Sequence, residues 1–238
     1  STLSSSSAAS DVYKRQPDTR AGNWDACAGY HYDDTTLKGF SHTHLSGTGC
    51  IDLGDILFRP TTLKPDLTAE SICRPANFSH KDERASAGYY SVILKDEGIK
   101  AELTATTHTG MHRYTFPSGK PVTIIVDLAH LLDNEYIYEA ELERTTSNEI
   151  VGMRRTRGWT DNQYVYFAAQ FSEPFQTVEF VQDKKIVSAE TKQVGTDLQA
   201  ILIFADKDGE PIIAKVALSL ASVDNARKNL AEEVKDFN

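Results

Sequence analysis

"YYSVILKDEGIKAELTATTHTGMHRYTFPSGKPVTIIVDLA", residues 89–129, decides the fold. Its runs YYSVIL, IKAELTATT, MHRYTF and PVTIIVDLA alternate apolar with polar residues, and KDEG, HTG and PSGK separate them. A period of two sends one face of each run into a core and the other toward solvent, the pattern of a half-buried strand. The separators have the length and chemistry of hairpins or short antiparallel links. The pattern resumes in EYIYEAELER, EIVGMRRTR, YVYFAAQF, TVEFVQD, LQAILIFA and PIIAKVALSL, and DKDGE predicts a turn at Asp208 and Gly209. So many strands with no long helix between them predict an all-β protein, a large antiparallel sandwich instead of a parallel α/β sheet.

The two ends of the chain read differently. After Ser222, a predicted N-cap, Val223, Ala226, Leu230 and Val234 recur at helical spacing, and the stripe runs to Phe237 with no glycine or proline to end it. This predicts a helix leading toward a further domain. STLSSSSAASDVYKRQ, residues 1–16, is low in complexity and has no apolar stretch of the kind a secretion signal carries. The expected organisation is a non-native or disordered leader over 1–16, a sandwich over 17–221, and the start of a helical linker over 222–238.

The 238 residues, 40% of them hydrophobic, can bury a sizeable core. A net charge of -9 without a basic cluster argues against a nucleic-acid partner. No apolar run approaches the roughly 18–20 residues that cross a bilayer. Cys27, Cys50 and Cys73 are odd in number and fit no zinc spacing, so one disulfide with a free thiol and three buried thiols both stay open.

Candidate chemistry concentrates in GFSHTHLSGTGCIDLGD, residues 39–55. On an extended strand His42 and His44 would share a face and could offer two imidazoles to a metal, as in the HxH motif of cupins. The glutamate which that motif requires next is replaced by Thr48 and Gly49. Without a third ligand no metal site is assigned, and the two histidines are expected to donate hydrogen bonds. Asp52 and Asp55, three apart, would face opposite sides of a strand and cannot flank a scissile glycosidic bond. LSGTG lacks a nucleophile elbow, and GTG alone is no phosphate loop. No catalytic residue is assigned within the chain.

The stretch can serve as a ligand-facing loop, since its glycines let backbone approach a ligand closely. Just upstream, PDTRAGNWDACAGYHYDD sets Trp24, Tyr30 and Tyr32 among polar residues, an arrangement that suits a sugar's ring face and its hydroxyls together. Burial of Trp24 in the core is the alternative. Arg154, Arg155 and Arg157 read as solvated or paired with carboxylates, Trp159 reads as core packing, and His108 and His112 receive no role.

PDTRAGNWDACAGYHYDDTTLKGFSHTHLSGTGCIDLGDI closely resembles the N-terminal domain of glycoside hydrolase family 92, the calcium-dependent α-mannosidases. The likeness continues through AELTATTHTGMHRYTFP, GMRRTRGW, NQYVYFAAQFSEPF and ALSLASVDNARKNL, from Pro17 to the C-terminus. The resemblance implies a galactose mutarotase-like sandwich, then a linker helix and an (α/α)6 barrel. It places the general acid, the base and the calcium ligands in that barrel, so this chain alone is expected to be inactive. It implies an exo-acting, inverting enzyme that trims mannose from N-glycan-type substrates in the periplasm or outside the cell. Trp24 would then contact the leaving sugar, and His42 and His44 would lie in the substrate-binding wall toward the barrel. One departure is that residues up to Gln16 stand where the family usually carries a PFG-like segment. A non-catalytic carbohydrate-binding module is the competing reading.

Overall fold

The computed structural model describes residues 16–19, 28–44, 51–63, 72, 74–132, 135–187 and 191–237. The predicted strands form in the expected order. They are β7 (Tyr89–Leu94), β8 (Ile99–Ala105), β9 (Thr109–Thr115), β10 (Val122–Asp127), β11 (Tyr136–Arg144) and β12 (Glu149–Arg157), followed by β13 (Gln163–Phe171), β14 (Phe175–Gln182), β17 (Leu198–Phe204) and β18 (Ile212–Ser219). Short strands complete the sheets: β1 (Gln16–Asp18), β2 (Thr36–Leu37), β3 (Gly39–Ser41), β4 (Leu57–Thr61), β5 (Ala76–Asn77), β6 (Arg84–Ser86), β15 (Lys185–Val187) and β16 (Lys192–Gly195). Periodicity cannot signal strands of two to five residues, because too few positions repeat.

The strands assemble into a seven-stranded sheet, β1-β3-β4-β10-β17-β14-β15, and a nine-stranded sheet, β16-β11-β12-β13-β18-β9-β8-β7-β6. A small β2-β5 pair stands apart. The named ladders are antiparallel, and the inner faces of the two large sheets close on one core, as in a sandwich. Phe58, Ile124 and Leu202 from the first sheet share that core with Leu103, Phe167, Val216 and Leu218 from the second. The Phe58 and Phe171 rings stack across it with centroids 6.3 Å apart.

The Asp208–Gly209 turn forms as read, with both residues at positive φ and the Glu210 amide donating to Lys207 O at 3.1 Å. The C-terminal helix, α1 (Val223–Glu233), starts where Ser222 accepts from the Asn225 amide. Its Ala226 packs with Val151 and Ala168 on the outer face of the nine-stranded sheet. Unlike the sequence expectation, the helix does not run to Phe237. Val234 leaves helical geometry, its carbonyl accepts from Lys215 Nζ at 3.2 Å, and the Phe237 ring lies 4.2 Å from that ammonium. A tertiary contact therefore supplies the stop that the sequence lacks. Glu233 fastens the same end to the β8-β9 turn by accepting from the His108 and Thr109 amides, the Thr106 hydroxyl and the His108 ring.

Candidate functional site

Segments far apart in sequence meet around the stretch singled out above: PDT (17–19), SHTH (41–44), DLGD (52–55), DLAH (127–130) and RRTRGW (154–159). Strand β1 pairs with β3, which brings Asp18 beside the histidines. The centre is a fully buried carboxylate between two imidazoles. His44 Nε2 lies 2.6 Å from Asp18 Oδ1 and 2.9 Å from Ser41 Oγ, and His130 Nε2 approaches Asp18 Oδ2 to 3.2 Å. Burial alone would raise the Asp18 pKa, but the charge and hydrogen bonds of His44 and His130 hold it far below the usual carboxylate range.

His42 belongs to a different network. Its Nδ1 lies 2.6 Å from Ile56 O, and its Nε2 lies 3.1 Å from His112 Nε2, whose Nδ1 is 2.7 Å from the Tyr114 hydroxyl. A carbonyl only accepts, so His42 Nδ1 carries a proton, and one directed chain of bonds follows for neutral rings. Tyr114 donates to His112, His112 to His42, and His42 to Ile56. Burial drives the Tyr114 pKa well above its ordinary value, which keeps it a donor. The rings of His42 and His112 stack at 4.9 Å, linking β9 in one sheet to the loop that follows β3 in the other.

Asp55 anchors the third network. Its Oδ1 lies 3.1 Å from Arg154 Nε, its Oδ2 accepts from Thr43 Oγ1 at 2.7 Å, and its amide donates to the same hydroxyl at 2.8 Å. Arg154 is only 1% exposed and also donates to Leu128 O at 3.3 Å and His130 O at 2.5 Å. The expectation that these arginines are solvated or paired with carboxylates holds for Arg157, which is exposed, and for Arg154, which pairs with Asp55 and in addition holds the loop carrying His130. Arg155 takes a third role and lies over the rings of Tyr138 and Tyr164.

Asp52 and Asp55 are not poised as a carboxylate pair, although the reason differs from the strand geometry expected. Leu53, Gly54 and Ile56 all have positive φ, so the backbone turns between and after them. Asp52 accepts instead from the Trp159 amide at 2.9 Å. A Cβ at Gly158 would lie 2.1 Å from the Asp52 carboxylate, so glycine there permits the contact. Trp159 itself is 66% exposed, which corrects its reading as core; it serves this junction through its backbone.

Thr19 and Gly29, described residues on either side of the span that contains Trp24, meet at the Asp18 cluster. The Thr19 amide donates to Gly29 O at 2.8 Å, and the His31 amide donates to Thr19 Oγ1 at 2.8 Å. A Cβ at Gly29 would meet Asp18 Oδ1 at 2.3 Å and His44 Nε2 at 2.6 Å, so the chain returns directly over the carboxylate. Trp24, Cys27, Cys50 and Cys73 lie outside the described residues, as do Thr48 and Gly49. Tyr30 is half-buried and donates to Glu83, and Tyr32 is exposed and stacks on His80 at 4.2 Å. Asp18, His130 and Arg154, which sequence reasoning gave no site role, are all buried in this cluster.

The family model described as "Glycosyl hydrolase family 92 N-terminal domain" matches residues 10–219. The chain belongs to glycosyl hydrolase family 92. It is similar to a family 92 α-mannosidase of Bacteroides thetaiotaomicron in complex with mannoimidazole, with 37% identity and a TM-score of 0.88 over 95% of this chain and 31% of that one. A family 92 inverting mannosidase of the same organism is 25% identical with a TM-score of 0.80, over 95% of this chain and 29% of that one. An uncharacterised secreted glycosidase of Arthroderma benhamiae is 25% identical over 88% of this chain and 30% of its own length. The chain thus spans about a third of the length of each of these relatives. Among the described residues no group of three or more His, Cys, Asp or Glu is placed to share a metal ion.

Proposed function

We propose that this family 92 chain is the sugar-facing domain of an exo-acting, inverting, calcium-dependent α-mannosidase that trims N-glycan-type mannose. The observation that carries the reading is the 37% identity, maintained over 95% of the chain, to an α-mannosidase that holds mannoimidazole. On this reading, residues 17–221 form the sandwich and 222–238 begin the linker to a barrel that holds the acid, base and calcium ligands. The chain alone is then inactive. The full protein works in the periplasm or outside the cell, in keeping with a relative called a secreted glycosidase.

In this scheme the chain binds and positions, and moves no proton to or from substrate. Trp24 meets the leaving sugar. His42 and His44, 0% and 3% exposed, act from behind the sugar-binding wall by fixing the loops that bear it. A site held by locked supporting side chains keeps its geometry, and misplacement by about 1 Å can lower rates by about 100-fold.

Hydrolysis of mannobiose tests the reading. The chain extended into its native downstream sequence is expected to release mannose, a chelator to abolish that release, and the chain alone to release none. Turnover by the chain alone, or chelator-resistant turnover by the extended protein, would contradict this division of labour.

A further inference from the structure

The seven-stranded sheet has a second functional-looking face, turned away from the sandwich core. The ladder register sets Arg59 beside Ile125 and Leu57 beside Asp127, with Asp127 in turn beside Gln199. These residues open onto a cavity of about 550 Å³, a volume within the range of small-ligand sites. Ile72 and Ile137 give it apolar wall, and Tyr136, 60% exposed, stands at its rim.

The polar lining is buried and balanced. Arg59, Asp127, Glu135 and Gln199 are each 92% or more buried, and Lys38, His130, Thr196 and Asp197 also line the cavity. Cations and carboxylates therefore share one chamber, which favours neither an anionic nor a cationic ligand. Burial raises the Asp127 pKa above its ordinary value, and its carboxyl accepts from the Ala129 amide at 2.8 Å. Donors and acceptors converging beside apolar wall and a tyrosine suit a ligand with many hydroxyls and an apolar ring face.

Aromatic surface continues from the rim. Tyr136 lies 5.1 Å from Tyr138, Arg155 covers Tyr138 at 4.9 Å and Tyr164 at 5.4 Å, and Tyr164 stacks on Tyr166 at 6.2 Å. The track crosses β11, β12 and β13 in the adjacent sheet.

We propose that this cavity and the tyrosine track form an auxiliary binding site for a neutral oligosaccharide, with one sugar in the cavity and the following ones against Tyr136 and Tyr138. The site is separate from the chemistry assigned to the barrel and needs no turnover. Calorimetric titration of this chain tests it, using neutral manno-, gluco- and galacto-oligosaccharides of one to five units and a uronic-acid oligosaccharide. Saturable binding of at least one neutral series is expected, tightening with length, and Tyr136→Ala should weaken it by about 10-fold, roughly 1.4 kcal/mol. Gln199→Leu should weaken even the monosaccharide. Tyr136 is exposed, so its variant reports on binding without disturbing the fold. Absence of saturable binding to every neutral sugar, preference for the uronate, or affinity indifferent to Tyr136→Ala would overturn the proposal. Binding of a gluco- series with no binding of the manno- series would support the cavity and leave the mannoside reading to the hydrolysis test above, so the two fail separately.

Discussion

Replacing Asp18 by asparagine is expected to destabilise the domain by about 3–5 kcal/mol, the usual result of removing one partner from a buried charge cluster. Asparagine keeps the shape but removes the charge that lies 2.6 Å from His44 and 3.2 Å from His130. The same variant loosens the seat on which Gly29 rests. For a domain of this size the loss corresponds to a fall in Tm of roughly 6–20 °C. It also carries a pH signature. Asp18 has a folded pKa far below its ordinary 3.8, so its stabilisation is fully present above that value and is lost as the pH falls further, toward the folded value. Asp127, with a raised pKa, contributes the opposite slope, present at acid pH and lost as the pH rises. The difference between wild type and Asp18→Asn isolates the first term. Urea unfolding at pH 7 and near pH 3 measures it: the gap should be large at pH 7 and narrower in acid. A gap under about 1 kcal/mol at both values would contradict the role given to Asp18.

Arg154→Met is expected to cost a comparable amount, about 3–5 kcal/mol. It strands the Asp55 carboxylate and leaves the Leu128 and His130 carbonyls without the guanidinium. Arg154→Lys should recover only part, because an ammonium cannot reproduce a planar fork that reaches a carboxylate and two carbonyls. Adding Asp55→Asn to Arg154→Met should relieve part of the loss by removing the stranded charge. Denaturant midpoints of the four proteins provide the check. A single variant with the wild-type midpoint would mean that Arg154 is not the strut between the DLGD and DLAH segments.

The strands from β7 to β14, together with β17 and β18, were legible because each is a run of six or more strand-forming residues. The opening strands were not. Residues 51–55 bear polar groups at irregular spacing because positive φ at Leu53 and Gly54 replaces strand geometry there. The long resemblance around Trp24 and the histidines pointed to the right family. It could not show that His42 and His44 serve two separate networks, because their partners His112 and Asp18 lie 70 and 26 residues away and meet them only through strand pairing. Arg154 looked like its neighbours Arg155 and Arg157. Alternation along β12 turns it inward while they point outward, a distinction available once the register is known. Trp159 was misread by the opposite error: a large apolar side chain suggested core, but the turn needed only its amide and the glycine before it.

The central claim, that this domain recognises the leaving sugar while the chemistry is done elsewhere, is tested most directly by Trp24→Ala in the full-length enzyme. Two substrates are compared, mannobiose, whose leaving group is a sugar, and α-mannosyl fluoride, whose leaving group is not. The account predicts that kcat/KM on mannobiose falls by about 10-fold or more, while the value on the fluoride stays near wild type. Equal losses on both substrates, or no loss on mannobiose, would contradict it.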